Sequence, residues 1–285
     1  MTVPDPAWVG GKPRVPRNRS FPAAVSHVRA THWRNLLIYL TIPAHNEGRT
    51  LGVLLWKLRK VMADFGRDYR ILVLDDASTD RTPEVLERYA SVVPLIAIRS
   101  DERLGYGQAL ERLIRTAVDT APYPKRDVVV TLQGDFTEDP DALVTLVKAV
   151  EGGADLVAGT LDEEEERPPR SIRLFRKIAR FLLGRTAREA PVPDPVSGFR
   201  AYRVVVLRKA LRELAEGEPL LAGDGWDVNV ELLRKAAPHA RRIEETPYRG
   251  RFRHRPRPSR FRPVATLRGL LSLRGQGWTP GEGRA

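Results

Sequence analysis

The run Val128-Val129-Val130-Thr131-Leu132, followed by Gln133-Gly134-Asp135-Phe136-Thr137-Glu138-Asp139-Pro140, restricts this chain more than any other stretch. Three β-branched residues in succession, entered through Lys125-Arg126-Asp127 and left through a Gly-Asp pair, read as a strand buried on both faces. Such strands belong to parallel sheets sheathed by helices, where ligands gather at the carboxyl ends of the strands. Asp135 stands at that end. A hard cation, Mg²⁺ or Mn²⁺, takes one or two carboxylates plus substrate phosphates, so a metal-diphosphate site is one reading. Capping by Asp135 or Asp139 of a helix that begins near Pro140 is the other.

The same strand-loop-helix plan precedes this stretch three times. Leu36 to Ile42 is apolar enough for a buried strand; Pro43-Ala44-His45-Asn46-Glu47 closes it before an amphipathic helix from Thr50 to about Phe65. Ile71 to Leu74 leads through Asp75-Asp76-Ala77-Ser78-Thr79-Asp80 to a helix over Thr82 to Val92. Two adjacent acids at a strand end raise each other's pKa unless donors or a cation compensate, which a ribose, a base edge or a backbone amide would do. Leu95 to Ile98 leads to Arg103-Leu104-Gly105-Tyr106-Gly107 and a third helix. The two glycines allow close approach of a ligand, or form only a turn. The fingerprint of dinucleotide-binding folds is absent from the first strand-to-helix turn, which disfavours hydride transfer. Four units in about 150 residues predict an α/β fold: a mainly parallel sheet with helices on both faces, in a single domain.

Charge narrows the partners. Lys and Arg number 48 against 36 Asp and Glu, a net +12, which points to phosphates, nucleic acid or a membrane surface. There is no cysteine, so thiolate metal sites and disulfides are excluded. No apolar stretch reaches the about 18 residues of a membrane span, and no signal-peptide core opens the chain. A cytoplasmic protein, soluble or peripherally bound, is the expectation.

The order Ile42-Pro43-Ala44-His45-Asn46-Glu47, Leu74-Asp75-Asp76-Ala77-Ser78-Thr79-Asp80, Gly105-Tyr106-Gly107 and Gly134-Asp135 resembles the family 2 glycosyltransferases of the GT-A fold. Val196-Ser197-Gly198-Phe199-Arg200-Ala201-Tyr202-Arg203 is similar to a segment of the dolichyl- or polyprenyl-phosphate sugar synthases. The resemblance runs from about Leu37 to Phe261. It implies that Pro43, Ala44, Asn46, Glu47, Asp75, Asp76 and Gly105 hold the nucleoside of a nucleotide sugar, with Gln133 and Gly134 nearby. The family's Asp-x-Asp reads Gln133-Gly134-Asp135 here, so an amide replaces one carboxylate; Asp135 and Gln133 become the metal ligands, with Asp76 or Glu138 close. Ser197, Gly198 and Arg200 would line the sugar or acceptor site.

In the second half, Asp162 to Glu166 reads as a solvated acidic run. Ile172 to Thr186 mixes apolar and basic residues at helical spacing, which suits a helix lying on an anionic membrane or one covering the protein's own core. Asp224 and Asp227 open a further helix, as caps or as catalytic groups touching the sugar. Arg242 to Tyr248 resembles the family's late strand. The arginines from Arg249 to Arg262 follow it. Within them Arg255, Arg257, Ser259 and Arg260 approximate the family's Arg-x-x-Gly-x-Ser-Lys loop, without its glycine, and are assigned to the donor and acceptor phosphates. The expected divisions are a basic, Pro-rich, disordered arm over 1–33, the GT-A domain over 34–262, and a short amphipathic segment with a disordered tail over 263–285.

The resemblance implies an inverting transfer of a hexose, from a GDP-mannose or UDP-glucose type of donor to a polyprenyl phosphate, on the inner face of a membrane and without nucleic acid. A family 2 transferase with a soluble or polysaccharide acceptor, and a non-catalytic nucleotide-sugar binder, are the alternatives.

Overall fold

The computed structural model describes residues 36–162, 168–252, 263–274 and Trp278. Its first half alternates as the hydrophobic pattern requires: β1 (Leu37–Ala44), α1 (Leu51–Phe65), β2 (Asp68–Asp76), α2 (Thr82–Ala90), β3 (Leu95–Ser100), α3 (Tyr106–Thr120) and β4 (Val128–Thr131). A 3-10 turn at Pro140–Ala142 then leads into α4 (Leu143–Glu151). Beyond it come β5 (Leu156–Leu161), α5 (Arg170–Leu183), α6 (Arg185–Arg188), β6 (Arg200–Arg203), α7 (Val204–Arg212), α8 (Asp227–Ala236), β7 (Ile243–Tyr248) and α9 (Pro263–Ser272).

The strands form one sheet in the order β3-β2-β1-β4-β6-β5-β7. Only β6 runs against its neighbours, β4 and β5; the other pairings are parallel. β4 is buried at every position, with Val128 and Val130 facing one apolar layer and Val129 the other. The first layer is covered by α1, α2 and α4 through Leu54, Leu58, Leu86, Leu146 and Val150, and the second by α3, α7 and α8 through Leu110, Leu113, Leu207 and Leu232. Each such side chain contributes about 1.5–3 kcal/mol by leaving water. The expected mixed, mainly parallel sheet with helices on both faces is therefore present.

Two elements run against the local propensity of their residues. β5 carries Ala158 and Gly159, poor strand formers. Gly159 is demanded there because a Cβ would lie 2.7 Å from the Phe199 ring. α7 opens on Val204-Val205-Val206, which favour strands by propensity, yet Val204, Val206, Leu207 and Ala210 supply a buried helical face. A third apolar cluster joins α5, α8 and α9 through Phe175, Ala179, Val230 and Leu270. In the tail expected to be disordered, Trp278 packs beside this cluster, and its indole Nε1 donates to Thr186 O at 2.6 Å.

Candidate active site

In a parallel sheet the crevice forms where strand order reverses, because the connections leave in opposite directions. Here that point is β1, which has β2 on one side and β4 on the other. The exits of all three strands share one edge, and the loops expected to bind the donor lie along it.

The loops after β1 and β2 are knitted together. Asn46, in the left-handed region at φ 51°, donates its backbone N–H to Ser78 Oγ at 2.7 Å, and its side-chain Oδ1 accepts from Thr79 N at 2.7 Å and Asp80 N at 3.2 Å. Its side chain therefore braces the second loop. Pro43 and Ala44 are the last residues of β1 and pair with Leu74 and Asp75. Glu47 is buried, with Thr50 Oγ1 2.9 Å from its carboxylate. Asp76 accepts from Leu104 N at 2.6 Å and Gly105 N at 3.0 Å, with Arg103 Nε 3.3 Å away. Asp75 is different. Its Oδ1 accepts from Ser78 N, but its buried Oδ2 has no hydrogen-bond partner, and Arg99 Nε stands 3.9 Å from it. The paired acids thus divide their work: Asp76 shapes the turn before α3, and Asp75 keeps an acceptor in reserve.

At the exit of β4 the two readings of the acids separate. Asp139 takes the capping role, accepting from Asp141 N. Asp135 accepts from Thr137 N at 3.1 Å and Thr137 Oγ1 at 2.6 Å, a tight turn that puts Phe136 at φ 61°. Gly134 packs against β1 and its loop, where a Cβ would come within 3.3 Å of Glu47 Cγ. Gln133 N donates to Glu138 Oε2 at 2.7 Å, and Glu138 bridges to Gly250. Arg251 then clamps the chain beyond β7 onto this loop, pairing with Asp139 at 2.8 Å and lying 5.1 Å from the centre of the Phe136 ring. Among the described residues no group of three His, Cys, Asp or Glu is arranged to hold a metal. Asp135 is buried at this turn and the Gln133 side chain is half-buried beside it.

The segment before β6 closes the far side. Ser197 and Gly198 line a narrow cleft with Gln133, Thr137, Glu138 and Trp226. Arg200 is not brought to it. Its guanidinium is fully buried and donates to Asn229 O at 2.6 Å and Pro195 O at 2.7 Å, so it braces the Pro195–Gly198 segment; this corrects the expectation of a ligand contact. Asn229 adds a second brace, donating to Val196 O and accepting from Tyr106 Oη at 3.0 Å.

Asp227 opens α8 as its first residue, as the sequence suggested, whereas Asp224 reaches another helix. Asp224 accepts from Tyr106 N at 2.8 Å, so it caps α3 rather than α8. Gly105 and Gly107 give way to this same segment: a Cβ at Gly105 would be 2.4 Å from Asp224 Oδ1, and one at Gly107 would be 2.2 Å from Gly223 O. The close approach that these glycines permit is the protein's own. Asp227, 3% exposed, is wedged against Gly223, Gly225 and Gly269. Burial, reinforced by the charges of Glu231 and Asp224, pushes its carboxyl up to about 6. Arg255, Arg257, Ser259 and Arg260 lie outside the described residues.

Beside the cleft runs a groove of about 710 Å³, the size of a small-molecule site. Arg170, Arg173, Lys177 and Arg180 line it from α5, and Arg176 lines both groove and cleft. Arg173 Nε is buried there without a hydrogen-bond partner.

Residues 39–211 match the family described as glycosyl transferase family 2. The chain belongs to that family. It is 30% identical over 203 residues to a dolichol-phosphate mannosyltransferase of Pyrococcus furiosus, covering 70% of this chain and 52% of that protein. It is 30% identical over 211 residues to a dolichyl-phosphate hexose transferase of Haloferax volcanii, covering 71% and 78%. The chain spans only about half the length of the first of these. A crystal structure of Mycobacterium tuberculosis glucosyl-3-phosphoglycerate synthase with Mn²⁺, UDP and glucosyl-3-phosphoglycerate superposes with a TM-score of 0.59 at 22% identity, over 84% of this chain and 80% of that one. The overlap establishes a shared fold, the GT-A arrangement that the motifs implied.

Within this family 2 frame, the groove on α5 was not assigned a phosphate role from the sequence. Its signal was present: Arg170, Arg173, Lys177 and Arg180 recur at intervals of three and four, which places them on one helical stripe. Tyr106 and Asn229 carried no such signal, because their partners lie far away along the chain.

Proposed function

We propose that this chain transfers a sugar from a nucleotide sugar to the phosphate of a polyprenyl lipid, with inversion at the anomeric carbon. The observation that carries the reading is Arg176, which lines both the cleft at Gln133 and the cationic groove of α5. Two anionic substrates would meet there. The relatives named for dolichyl-phosphate transfer support the same acceptor class.

In this reading Asp75 Oδ2 accepts from an N–H of the nucleobase, the partner it lacks within the protein. Asp76, Asn46 and Gly105 hold the loops in shape around the nucleoside. Asp135 and Gln133 would hold a divalent cation together with the donor's phosphates; a site with so few protein donors fits Mg²⁺ or Mn²⁺, which keep substrate phosphates among their ligands. When bound, the cation would neutralise the departing nucleoside diphosphate. Arg170, Arg173, Arg176 and Lys177 orient the acceptor phosphate. An oxygen of that phosphate forms the new bond to the anomeric carbon while the bond to the diphosphate breaks. The acceptor is already an anion near neutral pH, so no strong base is required, consistent with Asp224 being taken up by Tyr106 N.

Calorimetric titration with UDP-glucose and GDP-mannose, each with Mn²⁺ and with EDTA, tests the donor half. Metal-dependent binding of one donor, followed by its transfer to a short-chain prenyl phosphate, is the expected result. Binding of neither would overturn the reading, and transfer to a neutral alcohol in preference to the phosphate would overturn its acceptor half.

A further inference from the structure

Helix α5 carries three stripes. Phe175, Ala179 and Leu183 face the protein and are buried. Arg170, Arg173, Lys177 and Arg180 form the basic stripe already described. Between them run Leu174, Ile178 and Phe181, spaced four and three residues apart and therefore on one line. These three are 60%, 40% and 80% exposed, so the helix holds an apolar ridge in water beside its cations. No acidic residue occurs from Arg170 to Leu183.

Scattered exposed apolar side chains are ordinary, but an aligned ridge with a large aromatic four-fifths exposed, set against a row of cations, is not. A soluble protein partner would need acids placed to meet the basic stripe. An anionic bilayer meets both stripes at once, with acyl chains for the ridge and lipid phosphates for the arginines and lysine.

We infer that α5 docks on an anionic lipid surface, with Leu174, Ile178 and Phe181 inserted among the acyl chains and Arg170, Arg173, Lys177 and Arg180 at headgroup level. The surface deepens the proposed function and rests on it for the identity of the acceptor. Docked in this way, the helix brings the groove to the depth at which a lipid-borne phosphate sits. The ridge holds the protein there while donor binding proceeds from the water side.

The test uses the full chain and vesicles of phosphatidylcholine alone or with a third phosphatidylglycerol, without nucleotide sugar or prenyl phosphate. The wild type is expected to sediment with the anionic vesicles, and the variant L174S/I178S/F181S to bind them at least about tenfold more weakly at an unchanged melting temperature. Because the chain has no cysteine, Phe181→Cys carrying an environment-sensitive fluorophore reports on the ridge alone, and Glu87→Cys on α2 serves as its control. A blue shift at position 181 and none at position 87 is expected.

Equal vesicle binding by wild type and ridge variant, or no shift at position 181, would overturn the inference. A drop in the variant's melting temperature would show that protein covers the ridge. Loss of self-association in the variant would show that a second copy does. Either result also overturns it. Transfer to a water-soluble short-chain prenyl phosphate separates this inference from the proposed function. Ridge-dependent binding without such transfer condemns only the function, whereas transfer without ridge-dependent binding condemns only the docking surface.

Discussion

Thr50 Oγ1 lies 2.9 Å from the carbonyl oxygen of Gly134, so the entry of α1 is tied to the exit of β4 across 84 residues of chain. The same hydroxyl is 2.9 Å from Glu47 Oε2, which makes it the joint between the loop after β1 and the turn that presents Asp135. Replacing Thr50 by Val keeps the shape and removes the joint. We expect a loss of about 1–2 kcal/mol in urea denaturation, the usual cost of a buried hydrogen bond left half made. A fall of roughly tenfold in kcat/KM should accompany it, and Thr50→Ser should restore both. A variant that lost stability but kept full turnover would show that the joint serves the fold alone.

Asp135→Asn separates the carboxylate's charge from its place in the turn. The amide oxygen can still accept from Thr137 N and Oγ1, so the melting temperature should hold. Transfer should drop by roughly 10²–10³-fold, the range for removing one electrostatic contact to a developing charge. The difference between donor binding in Mn²⁺ and in EDTA should vanish with it. Unchanged turnover would move the reacting centre away from the exit of β4.

What the sequence revealed follows from the range of each signal. The β4 run, the apolar spacing of α1 and the paired acids at the end of β2 are local patterns, and each element stands where its residues placed it. β5 was hidden because Gly159 answers to Phe199, forty residues later, rather than to strand propensity. Arg200 looked like a ligand contact for a similar reason: nothing near it in the chain announces that Pro195 O and Asn229 O enclose its guanidinium. Asp224 capping a helix that starts 118 residues earlier is the same lesson at longer range.

Gly107 illustrates how tightly the second layer meets the rim. A Cβ there would come within 2.2 Å of Gly223 O and 3.2 Å of Val228 Cγ2, and a backbone carbonyl cannot swing aside as a side chain does. Gly107→Ala should therefore displace the 223–228 segment and cost about 1–3 kcal/mol, the usual penalty of overpacking. The Tyr106–Asn229 hydrogen bond should loosen as well, because Asn229 follows directly on the displaced segment in α8. Chemical denaturation measures the first effect. Faster amide exchange at Tyr106 would report displacement of the 223–228 segment directly, since Asp224 accepts from that amide.

The buried carboxyl of Asp227 gives the protein a pH signature. Its folded pKa of about 6 stands above the ordinary 3.8, with burial the main cause. A raised carboxyl binds its proton more tightly in the folded state, so its contribution to stability is complete below about pH 4 and is lost as pH rises through about 6. Each unit of such a shift corresponds to about 1.4 kcal/mol, so the loss across the window is roughly 1–3 kcal/mol. Asp227→Asn keeps a neutral group of the same shape against Gly223, Gly225 and Gly269. The variant should gain stability relative to the wild type as pH rises from 4 to 6 and hold that gain at pH 7. Urea midpoints for both proteins at half-unit intervals give the difference curve, in which the other titrating groups cancel. A flat curve would mean that Asp227 ionises without cost, and a curve of opposite sign would mean that its charge is stabilised where it lies.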